Sequence, residues 1–162
     1  PAKEIQNLEL QDQDGLLVTF RELFYGRPSI IAFFYTRCMN PDKCSLTITK
    51  LARLQRRISE QGIHDGINLA AITYDPAFDL PHRLYAYGAD RGMTFDHRSR
   101  LLRTTGSFEP VQRCFDLGVG YGTVTVNRHR LDLVVLDDRL RVTSSFTRRL
   151  WDENDVLAAV SL

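Results

Sequence analysis

Two apolar runs, "SIIAFFYT" at residues 29–36 and "INLAAITYD" at 67–75, frame a stretch in which Leu46, Ile48, Leu51, Leu54 and Ile58 recur at helical spacing. A strand that is apolar at consecutive positions has no face to show to water, so it belongs inside a sheet covered on both sides. The stretch between the runs has Asn40 as N-cap, Pro41 at the first helical position and Asp42 in the first turn, and Gly62 marks its end. Two buried strands joined by a helix form a βαβ unit, and its strands must be parallel.

The flanking segments extend this unit. "LELQDQDGLLVTF" carries two β-prone runs around Asp14-Gly15, which predicts an N-terminal ribbon over residues 8–20, followed by a Gly-Arg-Pro turn at 26–28. After Asp75-Pro76 stops the second apolar run, a helix is expected from Leu80 to Tyr87, with shorter helical regions around 98–105 and 108–116. "GTVTVNRHRLDLVVLDDRLRVTSSF" has β-prone stretches with Asp137-Asp138 as a turn, so an antiparallel pair closes the sheet. "WDENDVLAAVSL" forms a last helix capped by Asp152. The expectation is one three-layer α/β domain over residues 1–162, a mixed sheet flanked by helices.

Composition excludes several functions. The 21 Lys and Arg against 20 Asp and Glu give a net charge of +1, which supplies no strong pull toward nucleic acid or anionic lipid. No apolar run approaches the ~20 residues of a membrane helix. The 162 residues are enough to bury a core without disulfide staples.

The chemistry gathers in "FFYTRCMNPDKCSLTITKL". Cys38 and Cys44 are separated by five residues. Six steps along a helix rotate a side chain by about 240°, so the two thiols do not share a helical face. With the helix starting at Asn40-Pro41, Cys44 falls in its first turn and Cys38 in the loop from the strand. Unpaired N–H groups, the positive end of the helix and Lys43 all favour thiolate there, the form that both binds metal and exchanges disulfides. The carboxyl end of a central strand is also where open α/β sheets place their sites. A soft metal held by two thiolates commonly takes an imidazole as a third donor. Of the four histidines, His64 reads as a loop residue, His82 as a solvated residue in a first turn, and His97 is surrounded by polar neighbours. His129 stands just before a buried strand, and spacing makes it only a modest favourite. Cys114, in "EPVQRCFDLGV", reads as a small buried hydrophobe.

The motifs together resemble those of the Sco/SenC family, thioredoxin-fold copper proteins that help assemble the copper site of cytochrome c oxidase. "LQDQDGLLVTFREL" is similar to the family's N-terminal ribbon, "IIAFFYTRC" with "PDKC" to its strand and Cys-Pro-Asp-x-Cys motif, "ITYDPAFDLPHRLYAYG" to its Asp-Pro segment, and "HRLDLVVLDDRLRV" to its histidine, strand and turn. The resemblance implies a thioredoxin-like domain in which Cys38, Cys44 and His129 hold copper, the thiolates serving Cu(I) and the imidazole completing a Cu(II) site. It implies a bacterial periplasmic or cell-envelope location, normally through an N-terminal anchor that this chain does not include. The implied partners are a copper donor protein and the copper-bearing oxidase subunit, met by a monomer that is a chaperone rather than an enzyme. The family motif has three residues between its cysteines, so Met39 and Asn40 stand as an insertion, and Met39 is either a further thioether donor or an ordinary loop residue. Two enzyme readings use the same thiols. A thiol-disulfide reductase would normally have a tighter pair and a facing cis-proline, yet no proline follows Pro110; a thiol peroxidase would need partners that Thr36-Arg37-Cys38 does not bring.

Overall fold

The structure, a computed structural model, describes residues 2–34, 36–37, 44–117, 133–146 and 151–160. The strands are β1 (Glu9–Asp12), β2 (Leu17–Thr19), β3 (Ser29–Phe34), β4 (Asn68–Thr73), β5 (Ser99–Thr104), β6 (Leu133–Leu136) and β7 (Val142–Phe146). They form one seven-stranded sheet in the order β2-β1-β5-β4-β3-β6-β7. β3, β4 and β5 are parallel neighbours, while the pairings β5–β1, β1–β2, β3–β6 and β6–β7 are antiparallel.

The predicted βαβ unit is present, and the apolar runs explain why. Every residue of β3 and β4 is buried. Along β3, Ile30, Ala32 and Phe34 face one apolar cluster while Ile31 and Phe33 face the other. Helix α2, described over Cys44–Glu60, lays Ile48, Leu51, Leu54 and Ile58 on the first cluster, and each such side chain contributes about 1.5–3 kcal/mol by leaving water. The helix ends where Gly62 takes φ +71°, with Gly62 N–H donating to Ser59 O at 3.1 Å and Ile63 N–H to Ile58 O at 3.2 Å. This double bond pattern closes the last turn through a left-handed residue that glycine adopts without strain. The N-cap expected at Asn40, with Pro41, Asp42 and Lys43, lies outside the described residues.

Helix α3 (Pro81–Asp90) and the last helix, α5 (Glu153–Ala159), cover the same face as α2. Asp152 caps α5 by accepting from Asn154 N–H at 2.7 Å, as its position suggested. The opposite face carries α1 (Phe20–Phe24), α4 (Glu109–Cys114) and the 3-10 turn Ala2–Ile5. Together these make the expected three-layer mixed α/β architecture, with the hairpin β1-β2 at its amino-terminal edge.

Three sequence expectations need correction. Residues 99–104 are strand β5, not helix: Leu101 faces one cluster and Leu102 the other, in the slot between β4 and β1. The arginines that obscured the pattern are tied down, Arg100 to Asp12 at 3.2 Å and Arg103 to Gln11 Oε1 at 2.8 Å and Pro76 O at 2.9 Å. Helix α3 runs on past Tyr87, because Gly88 is a packing glycine rather than a stop. A Cβ there would sit 2.6 Å from Phe95 Cζ and 2.8 Å from Leu101 Cδ1. The ribbon ends at Thr19, where a capping box starts α1: Glu22 N–H donates to Thr19 Oγ1 and Thr19 N–H to Glu22 Oε1.

Candidate metal centre

Strands β3 and β4 end side by side. Phe34 is in register with Thr73, and Tyr74 N–H donates to Phe34 O at 2.7 Å. From that edge the chain continues through Thr36 and Arg37 toward Cys38, and α2 is described from Cys44 onward. β6 begins at the same edge: it runs antiparallel to β3, and its first residue, Leu133, pairs with Ala32. The end of β3 and the start of β6 thus lie at one edge of the sheet. Cys38, Met39 and His129 lie outside the described residues, as does the side chain of Cys44, so the distances among the candidate ligands are not part of this geometry.

What is described at this edge is a polar lattice around Thr36 and Arg37. Asp79 has no solvent exposure, and its carboxylate accepts from Thr36 N–H at 3.2 Å, from the Thr36 hydroxyl, and from the Thr73 hydroxyl at 2.5 Å. Burial pushes its pKa above the ordinary aspartate value, the three hydrogen bonds pull it back in part, and the nearby charge of Asp75 pushes in the same direction as burial. The segment from Asp75 to Asp79 is folded on itself, with Phe78 N–H and Asp79 N–H both donating to Asp75 O, at 3.2 and 2.9 Å. Thr73 Oγ1 also accepts from Asp75 N–H at 3.0 Å. Outside this buried knot, Arg37 reaches Asp75 Oδ2 through Nη2 at 2.7 Å and Nε at 2.8 Å. Its guanidinium and that of Arg83 each lie 4.3 Å from the centre of the Phe78 ring.

The other candidates are elsewhere. His64 sits in a short 3-10 turn after α2, with Nε2 2.8 Å from Asp96 Oδ2, and His82 and His97 are exposed. Cys114 is half-buried on the last turn of α4, where burial raises its thiol pKa, in keeping with a packed rather than reactive role. Among the described residues no group of three or more His, Cys, Asp or Glu is arranged to hold a metal. Sequence reasoning missed Asp79 and its hold on Thr36. In "AFDLP" this aspartate reads as an acid ahead of a helix, and nothing local to it signals a partner 43 residues earlier.

A model of the family described as SCO1/SenC matches residues 1–147, a span that contains Cys38, Cys44 and His129. The chain belongs to the SCO1/SenC family. A protein of Stutzerimonas stutzeri named "Putative copper-binding protein" is 32% identical over 111 residues, 68% of this chain and 50% of that protein, so the chain spans about half the length of this curated relative. Among solved structures, yeast Sco1 with copper bound is 26% identical, with a TM-score of 0.64 over 93% of this chain and 85% of that one. BsSco, a member of the Sco family of cytochrome c oxidase assembly proteins, has a TM-score of 0.78 over 95% of this chain and 89% of that one. At 18% identity it supports the fold alone. The thioredoxin-like architecture of this SCO1/SenC chain is the one these structures share.

Proposed function

We propose that this SCO1/SenC chain binds copper through Cys38, Cys44 and His129 and serves as a metallochaperone in maturation of the copper site of cytochrome c oxidase. The donor set fits the metal: two thiolates suit Cu(I), and an added imidazole suits Cu(II). Copper here is cargo, received from a donor protein and passed to the copper-bearing oxidase subunit. The chain's own part is to present Cys44 at a helix start that favours thiolate, with Cys38 in the loop before it, and to bring an imidazole to the same edge.

The observation that carries this reading is topological. Leu133, four residues after His129, pairs with Ala32, six residues before Cys38, and Cys44 is the first described residue of the helix that follows β3. Family membership and the copper held by the yeast relative point the same way. On the same reading residues 1–162 act as one unit in the bacterial periplasm or cell envelope.

The test is titration of the reduced protein with copper. Tight Cu(I) uptake lost in Cys38→Ser and Cys44→Ser, and a Cu(II) spectrum altered in His129→Ala, are expected; no uptake, or a Cu(II) spectrum indifferent to His129→Ala, overturns the proposal. Protein oxidised to a Cys38–Cys44 disulfide offers no thiolate and is expected to take up no Cu(I).

A further inference from the structure

The cysteine segment leaves the sheet through Thr36 and Arg37, and both are held by the same five-residue stretch after β4. Asp79 takes both donors of Thr36, and Asp75 takes the guanidinium of Arg37. The two clamps differ in kind. Arg37 is 56% exposed, so its ion pair is softened by water, whereas Asp79 is wholly buried and, among the described residues, its carboxylate is met by neutral hydroxyl and amide donors. Burying a carboxylate is costly, and an arrangement that does so is expected to set geometry that a cheaper group would leave loose.

That geometry is not the pairing of β3 with β4. The two strands are already in register over six residues, from Ser29↔Asn68 to Phe34↔Thr73, and the Tyr74 to Phe34 bond continues the ladder. Asp79 acts beyond the ladder, on the last half-buried residue before the chain turns to Cys38. Five residues then separate the two cysteines, and a longer loop has more conformations to lose when its ends are brought together. Fixing the residue that launches such a loop removes part of that freedom in advance.

We propose that Asp79 is a positioning residue for the Cys38 thiol, acting through Thr36 to set where the cysteine segment leaves β3. The proposal deepens the copper reading above and rests on it for the identity of the ligand. Asp79 touches no metal; it holds the residue that aims one of the donors.

Chelator competition for Cu(I) on the reduced protein provides the first test. Asp79→Ala is expected to weaken Cu(I) binding by about tenfold or more, in the range seen when a group supporting a metal ligand is removed. Asp79→Asn, whose amide oxygen still accepts from Thr36 N–H, is expected to recover most of the affinity. Asp12→Ala, which breaks a buried network in the hairpin, serves as the control for general loosening and should keep wild-type affinity. Should Asp79→Ala fail to fold, Thr36→Val removes the hydroxyl alone and is expected to weaken binding by about threefold, under half a decade. Affinity within about twofold of wild type in Asp79→Ala or, where that variant does not fold, in Thr36→Val, or an equal loss in Asp12→Ala, overturns the proposal, since about 0.4 kcal/mol is too little for a positioning bond. A second readout needs no metal: the iodoacetamide alkylation rate of Cys38 in the reduced apoprotein, mapped by peptide mass spectrometry. If wild type takes up no copper, the functional reading fails by itself, and this rate decides the positioning role. A shifted rate in Asp79→Ala and Thr36→Val but not in Asp12→Ala supports it, and unchanged rates overturn it.

Discussion

Asp12, the last residue of β1, and Asp79, in the stretch between β4 and α3, are both buried aspartates, and they are buried for different ends. Asp12 closes the turn that follows its own strand. Its Oδ1 accepts from Asp14 N–H at 2.9 Å and Leu16 N–H at 3.0 Å, and its Oδ2 meets Arg100 at 3.2 Å. Among the described residues no cation pairs with Asp79: hydroxyls and one amide from two different strand ends converge on it. The first is a turn-forming device reinforced by a salt bridge, and its loss is felt by the hairpin. The second is a cross-link between distant parts of the chain, placed where the cysteine segment begins. Equal burial of the same residue type therefore says little about role until the sequence distance and charge of its partners are known.

Removing Asp12 should give the largest loss of stability. Asp12→Ala strands Arg100 in a largely buried position and opens the turn, and we expect about 3 kcal/mol by denaturant titration, with copper affinity unchanged. A loss of affinity on the same scale would dissolve the distinction between the two aspartates. Asp79→Asn keeps the shape and one acceptor, so its expected cost is about 1–2 kcal/mol in the same measurement.

The pH dependence sharpens the contrast further. The folded-state pKa of Asp79 is raised above 3.8, first by burial, so the fold favours its protonated form. The stability this group contributes is complete below the ordinary aspartate range and is lost as pH rises through the raised value. The stability of the wild-type apoprotein, minus that of Asp79→Asn, should therefore fall with rising pH across that window, and a flat difference contradicts the assignment. The smallest effect belongs to Arg37→Ala. Its exposed pair with Asp75 and its contact with Phe78 are each worth about 0.5 kcal/mol or less, so a larger drop in thermal stability would mean the outer clamp holds more than its exposure suggests.

How far the sequence revealed this molecule depended on whether the signal was local. The β3-α2-β4 unit was readable because consecutive apolar residues and a 3.6-residue period are each produced by one kind of burial. The hairpin was readable from Asp14-Gly15, and Gly15 takes φ +86° as such a turn requires. Strand β5 was not, because adjacent leucines between arginines fit either element, and pairing with β1 and β4 on its two sides decided the outcome. Helix α1 was missed although Thr19 and Glu22 stood in capping-box spacing. At the candidate site, the two thiols drew attention by residue type and position, and His129 entered through the family resemblance. Asp79 drew none, because its three bonds depend on strands adjacent only in the folded sheet.

The position of β5 also orders events in time. β1 sits between β2 and β5, with Leu10 paired to Thr104 and Asp12 to Leu102. A two-stranded ribbon alone is marginal in water, so β1 and β2 must wait for a partner synthesised some ninety residues later. Such long-range pairing slows folding. Until β5 arrives, one edge of β1 stays open, and the ribbon is the part of the fold most exposed to wrong partners.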